Sequence, residues 1–299
     1  MVKKQIKTES TKLVIAISSR ALFNLDHSHK SFKDEGIKAY AKHQQENEQV
    51  VLEPGVGFTL VKKLLKLNSK TTPIDVILLS RNSADTGLRI FNSIEHYGLN
   101  ISRAAFTRGE STHPFVGAFE ADLFLSSNYN DVQKALQSGY AAASIIESKS
   151  NHSHPSQLRI AFDGDAVIFS DDSEKVFHEE GLEAFIENET MATTALKEGP
   201  FKSFLVALNK IQNDFDINEC PIRTALVTAR SAPSDKRVIK TLREWGVRID
   251  ESLFLGGMSK QHFLKSFQAD IFFDDQKKHI IEAMKSTASG HVPYGIKNK

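Results

Sequence analysis

Short apolar runs that stop abruptly in polar residues alternate along this chain with longer stretches whose apolar positions recur at helical spacing, the pattern of an α/β fold. Leu13-Val14-Ile15-Ala16-Ile17 reads as a buried strand ending in Ser18-Ser19-Arg20, and a helix-prone region follows from about Lys30 to Lys66, broken near Pro54-Gly55. Ile74 to Leu79 is a second strand, ending in Ser80-Arg81-Asn82-Ser83, and Leu88 to Tyr97 is a helix stopped by Gly98. Leu123-Phe124-Leu125 ends in Ser126-Ser127, Asp131 to Gln137 is helical, and Tyr140 to Ile146 is a further strand. Glu147 to Gln157, with its serines, His152, His154 and Pro155, has the composition of a linker. Beyond it, Leu158-Arg159-Ile160-Ala161-Phe162 empties into Asp163-Gly164-Asp165.

After the linker the pattern begins again. Leu13-Val14-Ile15-Ala16, displaced by 145 positions, falls on Leu158-Arg159-Ile160-Ala161, and Phe32 and Gly36 fall on Phe177 and Gly181. With a displacement of 148, Pro73-Ile74 falls on Pro221-Ile222, Gly98 on Gly246, Gly109 on Gly257, and Ala121-Asp122-Leu123-Phe124 on Ala269-Asp270-Ile271-Phe272. Turns and core positions agree, so the chain reads as a duplication: a first half over 1–146, a linker over 147–157 and a second half over 158–299.

The charged positions at the strand ends do not agree. Asp163 faces Ser18 in the alignment, Asp165 faces Arg20, Thr228 faces Ser80, Lys260 faces Thr112, and Asp274-Asp275 faces Ser126-Ser127. The second half therefore carries an acidic strand end, a hydroxyl, a lysine and an acidic pair, while the first keeps only the hydroxyl. One half is equipped for chemistry and the other is an inactive partner.

Two carboxylates at the carboxyl end of a strand lie where open α/β folds build sites, and their repulsion calls for a cation between them. Mg²⁺, with its preference for oxygen ligands and phosphates, suits that place; the alternative is a simple Asp-Gly turn. The set fits phosphoryl transfer. Asp163 and the Asp274-Asp275 pair hold Mg²⁺, with the choice between Asp274 and Asp275 open, and Asp163 attacks phosphorus. Lys260 offsets phosphate charge, unless it only decorates a helix start, and Thr228 donates to a phosphate oxygen. Asp165 protonates the leaving oxygen and then activates water. Arg230 and Ser231, just after Thr228, are candidate substrate-binding residues. Arg81 and Asn82 could contact substrate across the halves, bind an effector nucleotide, or hold the halves together. Asp171 and Asp172 read as solvated turn residues. His152 and His154 lack a carboxylate or cysteine partner nearby and read as linker.

The chain has 299 residues, 40% of them hydrophobic, enough for about two domains. Its 38 basic and 37 acidic residues leave a net charge of +1, which gives no reason to expect nucleic acid or an anionic membrane as partner. Cys220 is the single cysteine, no apolar run approaches the roughly 18 residues of a membrane span, and no signal peptide is evident. A cytoplasmic location is the expectation; self-association is left open.

Asp-x-Asp, a strand-end Thr, Gly256-Gly257-x-x-Lys260 and Asp274-Asp275 together resemble the four motifs of the haloacid-dehalogenase-like phosphatases. The strings Arg159-Ile160-Ala161-Phe162-Asp163-Gly164-Asp165-Ala166-Val167, Leu79-Ser80-Arg81-Asn82-Ser83 and Gly87-Leu88-Arg89-Ile90-Phe91-Asn92-Ser93-Ile94 resemble, more specifically, cytosolic 5′-nucleotidases of type I, over nearly the whole chain. The resemblance implies two Rossmann-like haloacid-dehalogenase-type halves, the C-terminal one catalytic, with a small helical cap inserted at about 174–218. It implies Mg²⁺-dependent hydrolysis of nucleoside 5′-monophosphates, AMP or IMP, with the backbone carbonyl of Asp165 as a further metal ligand. Phe177, Phe185, Phe201 and Phe204 in the inserted segment serve either as core or as a base-stacking surface. The rival functions are a phosphatase of sugar phosphates or other small esters, and a nucleotide-sensing protein without turnover.

Overall fold

The computed structural model describes residues 12–25, 36, 38–67, 73–146, 154 and 156–298. The expected Met1–Lys12 segment up to residue 11, Phe32, and most of the expected linker, His152 included, lie outside them.

One ten-stranded sheet runs through the molecule. The strands are β1 Leu13–Ser18, β2 Ile74–Ser80, β3 Arg103–Phe106, β4 Leu123–Ser126, β5 Ala142–Ile146, β6 Leu158–Phe162, β7 Ile222–Thr228, β8 Glu251–Phe254, β9 Ile271–Asp274 and β10 Ser289–His291. Their order is β3-β2-β1-β4-β5-β10-β9-β6-β7-β8. The order β3-β2-β1-β4-β5 thus recurs as β8-β7-β6-β9-β10. Every pairing is parallel except β5 with β10. The carboxyl ends of β1–β5 therefore point the opposite way from those of β6–β10.

Strands such as β1 and β2 are apolar almost throughout because helices cover both faces of the sheet, so both sets of alternating side chains are buried. The covering helices are α1 Ser19–Leu22, α2 over 38–46, α3 Phe58–Lys66, α4 Leu88–His96, α5 His113–Ala118, α6 Tyr129–Gln137, α7 Asp172–Met191, α8 Lys202–Gln212, α9 Asp235–Glu244, α10 Gln261–Phe267 and α11 Lys277–Ala283. Their apolar stripes recur at three and four residues; α4 buries Ile90, Ser93 and Ile94, and α9 buries Val238, Thr241 and Leu242.

The recurrent order extends to local chemistry. Asp122 accepts from the Val14 backbone N–H at 2.8 Å, and Asp270 accepts from that of Arg159 at 2.8 Å. Gly98 and Gly246 end helices with φ of 61° and 62°, a left-handed conformation open to glycine at little cost. Asp270 also binds Lys63 of α3 at 2.7 Å, and the same ammonium donates to the carbonyls of His154 and Gln157. One buried ion pair thereby ties α3 to the start of β6.

Within the segment expected as a cap, α8 belongs to the core. Phe201 and Phe204 are fully buried and pack edge-on or tilted against Phe162. Phe177 and Phe185 lie instead on α7, edge-on to each other at 6.0 Å, with Phe177 48% exposed. Asp171 is not a solvated residue as expected: it is buried and accepts from Lys175 at 2.8 Å, while Asp172 is half-buried and pairs with Lys197 at 2.7 Å. Among the described residues no helix is long and apolar enough to cross a membrane.

Candidate active site

The order β7-β6-β9 sets Asp163 between Thr228 and Asp274. β6 ends at Phe162, paired with Phe273, and the Asp163 backbone N–H donates to the Phe273 carbonyl, so Asp163 and Asp274 leave adjacent strands side by side. A tight turn over 164–168 follows, with the Gly164 N–H donating to Asp163 Oδ1 at 2.7 Å and Ala166 in the left-handed region. Gly164 keeps the turn narrow: a Cβ there would stand 3.2 Å from Thr228 Oγ1.

Lys260, the residue before α10, is almost fully buried between the two carboxylates. Its ammonium lies 2.8 Å from Asp163 Oδ1 and 2.7 Å from Asp274 Oδ2. Asp274 also accepts from the Gln276 backbone N–H at 2.7 Å and from His279 Nδ1 at 3.1 Å. Burial works to raise the Asp274 pKa, but Lys260 and His279 overcome it and hold the carboxyl below its ordinary range. Burial prevails at Asp163, pushing it up to about 6. Burial would depress Lys260, yet its two carboxylates hold it charged well above the ordinary lysine value.

The neighbouring Asp275 is different in kind. Both its carboxylate oxygens are buried without a hydrogen-bond partner, although its backbone carbonyl accepts from His291 Nε2 and Asn298 Nδ2, each at 2.9 Å. Burial, reinforced by Asp274, Asp163 and Glu174, pushes Asp275 up to about 10. Glu174, on α7, has one buried carboxylate oxygen without a partner and accepts from Gln276 on the other. Burial and the charges of Asp165 and Asp163 push it up to about 7. Buried carboxylate oxygens with no donor facing them suit a bound cation, which would supply the missing positive charge. Asp163, Asp274 and His279 also offer atoms within 4.8 Å of one another, but the Lys260 ammonium already lies between its two carboxylates and His279 is bonded to Asp274. The carboxylates without a donor of their own, and so open to a hard divalent ion beside Asp163, are Asp275 and one oxygen of Glu174.

Asp165 points to another cation. Arg230 grips it through two bonds, Nε to Oδ2 at 2.8 Å and Nη2 to Oδ1 at 2.6 Å. The third edge of the guanidinium bonds Glu189, which also accepts from Arg237 at 2.9 Å and Ser173 at 2.7 Å. Burial would lower the Arg230 pKa, but Asp165 and Glu189 raise it, so this arginine is charged throughout. Thr228 is buried and its Oγ1 accepts from the Arg230 backbone N–H at 3.2 Å. Ser231 lies exposed in the turn that follows, its carbonyl bonded to Ser234.

Asp163, Asp165, Thr228, Arg230, Lys260, Asp274 and Asp275 thus gather at one sheet edge. Arg81 and Asn82 do not join them. They leave β2, six strand positions from β6 in the sheet order, on a strand running the opposite way. Arg81 is bound to Asp131 through two bonds of 2.7 and 2.8 Å. The sequence reading missed Glu174, Glu189, His279, His291 and Tyr129. Tyr129, at the start of α6, stacks on His291 at 6.1 Å and walls a cleft of about 280 Å³ with Gln276, Lys277, Lys297 and Asn298, whose Nδ2 donates to the Asp275 carbonyl. Glu174 and Glu189 sit among ordinary surface acids in a polar helix, and nothing local distinguishes them.

Fold and site together define an α/β protein with a carboxylate–lysine centre at the carboxyl ends of parallel strands, the place where such sheets bind ligands. The profile of the 5′-nucleotidase family matches residues 5–299, and the chain belongs to that family. It is 41% identical over 288 residues to human (Homo sapiens) cytosolic 5′-nucleotidase 1B, a match that covers 91% of this chain and 47% of the relative. The chain spans about half the length of that relative.

Proposed function

We propose that the C-terminal half hydrolyses nucleoside 5′-monophosphates to nucleoside and phosphate through a phosphorylated Asp163, with Mg²⁺ as cofactor. The observation that carries this reading is the Lys260 ammonium clamped between Asp163 and Asp274 beside the unpartnered carboxylate of Asp275. Family membership and the nucleotidase relative support the nucleotide as substrate, with AMP or IMP as the first to test.

Asp163 is the nucleophile: its carboxylate attacks phosphorus while Lys260 balances the charge of the incoming phosphate. Thr228 donates its hydroxyl to a phosphate oxygen. Asp165 protonates the leaving 5′-oxygen and then takes a proton from the water that opens the acyl phosphate. Arg230 is a positioning residue, because its side chain is committed to Asp165 and Glu189; the Arg230–Glu189 pair fixes the acid/base from α7. Asp163 and Asp275, with the Asp165 carbonyl, would hold Mg²⁺, which supplies Lewis-acid polarisation of the phosphate and neutralises its charge. Asp274 serves the site by orienting Lys260.

The reading includes two haloacid-dehalogenase-type halves descended from one ancestor, with residues 1–146 degenerate and 158–299 catalytic. The recurrent strand order, the Asp122/Asp270 bonds and the matched glycines support it. The cap of this proposal is α7, which carries Glu174 and Glu189 to the site and offers the Phe177 ring to solvent. A cytosolic location belongs to the same proposal.

Phosphate release from a panel of nucleotides and phosphosugars, with Mg²⁺ and with EDTA, tests it. Release from nucleoside monophosphates that requires Mg²⁺ is expected. A marked preference for free phosphosugars would make this a phosphatase of other small esters, and binding without release would make it a nucleotide sensor.

A further inference from the structure

The N-terminal half has a cleft of its own, about 870 Å³, at the carboxyl ends of β1, β2 and β4. That is room for a nucleotide-sized ligand. It occupies the place in this half that the catalytic site occupies in the other, but its chemistry is inverted. Ser18, Ser126 and Ser127 stand where the C-terminal half has Asp163, Asp274 and Asp275. Their hydroxyls brace the backbone: Ser18 Oγ accepts from the Ala21 and Ser127 N–H groups, and Ser126 Oγ accepts from that of Asn128.

The charges along the wall favour an anion. Among the described residues, Arg20, Lys38, Arg81 and Arg108 outnumber Asp85 and Asp131. The two carboxylates are not open to a metal ion: Asp131 is taken up by Arg81, Ser111 and Thr112, and Asp85 accepts from Gln45. Burial works to raise Asp131, but Arg81 and the two hydroxyls hold its pKa below the ordinary range. An independent observation points to a missing acceptor. Asn82, in the same wall, accepts from the Tyr40 hydroxyl at 3.0 Å with its Oδ1, while its Nδ2 is buried with no partner. A buried amide N–H without an acceptor is destabilising unless a ligand supplies one.

We infer that this cleft is a second, non-catalytic site that takes an organic phosphate of nucleotide size without a metal ion. Surface cations draw the phosphate in, the Asn82 amide donates to the ligand, and among the described residues of the wall no carboxylate is left to hold Mg²⁺ or attack. The inference rests on the proposed function only in placing the chemistry in the other half. Helix α6 runs between this cleft and the C-terminal half: Asn128 and Asp131 line this cleft, and Tyr129 between them walls the smaller cleft with Gln276 and Asn298.

The test is a calorimetric titration of the full chain with AMP in EDTA, beside adenosine. One saturable AMP site is expected, with adenosine much weaker. K38E/R108E, which reverses two exposed cations, should weaken AMP by about tenfold or more, the scale of two lost surface charge contacts with repulsion added. Asn82→Leu should weaken it with Lys38 and Arg108 intact, and matching melting curves would show that each variant is folded. Asp163→Asn should leave the site in place. Absence of saturable binding at millimolar AMP, equal affinity for adenosine, or full AMP affinity in K38E/R108E would overturn the inference. Because the readout is binding without turnover, it stands or falls separately from the hydrolase reading.

Discussion

Replacing Asp275 by asparagine probes the metal site without any turnover assay. In the metal-free protein, burial and the charges around it push this carboxyl from 3.8 up to about 10. The unfolded chain ionises at the ordinary value, so between about pH 4 and pH 10 the unfolded state has released a proton that the folded state retains. Stability therefore falls as pH rises through that window. At pH 7, some three pH units above the ordinary value, the loss at about 1.4 kcal/mol per unit comes to about 4 kcal/mol. Asp275→Asn removes the titration and keeps the shape, so in EDTA at pH 7 it should be more stable than the parent by up to that amount. At about 2–4 °C per kcal/mol the melting temperature should rise by roughly 10 °C. Mg²⁺ should reverse the ranking: by binding only the folded parent it raises the parent's melting temperature by mass action and leaves D275N nearly unmoved. Calorimetric or fluorescence melts of both proteins, with EDTA and with Mg²⁺ at pH 5 and pH 7, make the measurement. A D275N protein that is less stable in EDTA, or that Mg²⁺ stabilises as much as the parent, would refute the assignment of Asp275 as the unpaired ligand.

Asp163→Asn should abolish phosphate release while leaving the melting curve close to that of the parent; substantial residual release would place the nucleophile elsewhere. Asp165→Asn should slow nucleotide hydrolysis by about 10²–10⁴-fold, the usual worth of general acid–base help. Single-turnover phosphorylation by p-nitrophenyl phosphate, whose leaving group needs no proton, should suffer less, and equal losses in that first step would count against the role. Glu189→Gln should lower kcat more than it changes KM by loosening the Arg230 grip on Asp165; an unchanged kcat would confine Glu189 to the packing of α7. Lys260→Met leaves Asp163 and Asp274 buried without their cation and should destabilise the fold by about 3–5 kcal/mol in EDTA, read by denaturant unfolding.

Much of this protein can be read along the chain because it depends on local pattern. Apolar runs of strand length, helical stripes and stop glycines are set by the two backbone periods and by the residues that tolerate a left-handed turn, and they appear where the spacing puts them. The same reading reaches β1, β2, β4 and β6 and the polar residues that leave their ends. It also aligns Ala121-Asp122 with Ala269-Asp270, and the bonds of both aspartates agree. Partner choice lies beyond it. Asp274 and Asp275 are equivalent in sequence, yet one meets Lys260 and the other meets no donor, because successive residues at a strand end face different surroundings. Arg230 looks like a substrate residue until Glu189, 41 positions upstream, closes on it. The antiparallel meeting of β5 and β10 joins the halves in one sheet and turns their strand ends in opposite directions, which carries Arg81 and Asn82 away from Asp163. Periodicity and turn chemistry act over a few residues and are written locally; the pairing of strands and buried charges is settled by packing across the whole chain, and only the folded structure shows which groups that packing left together.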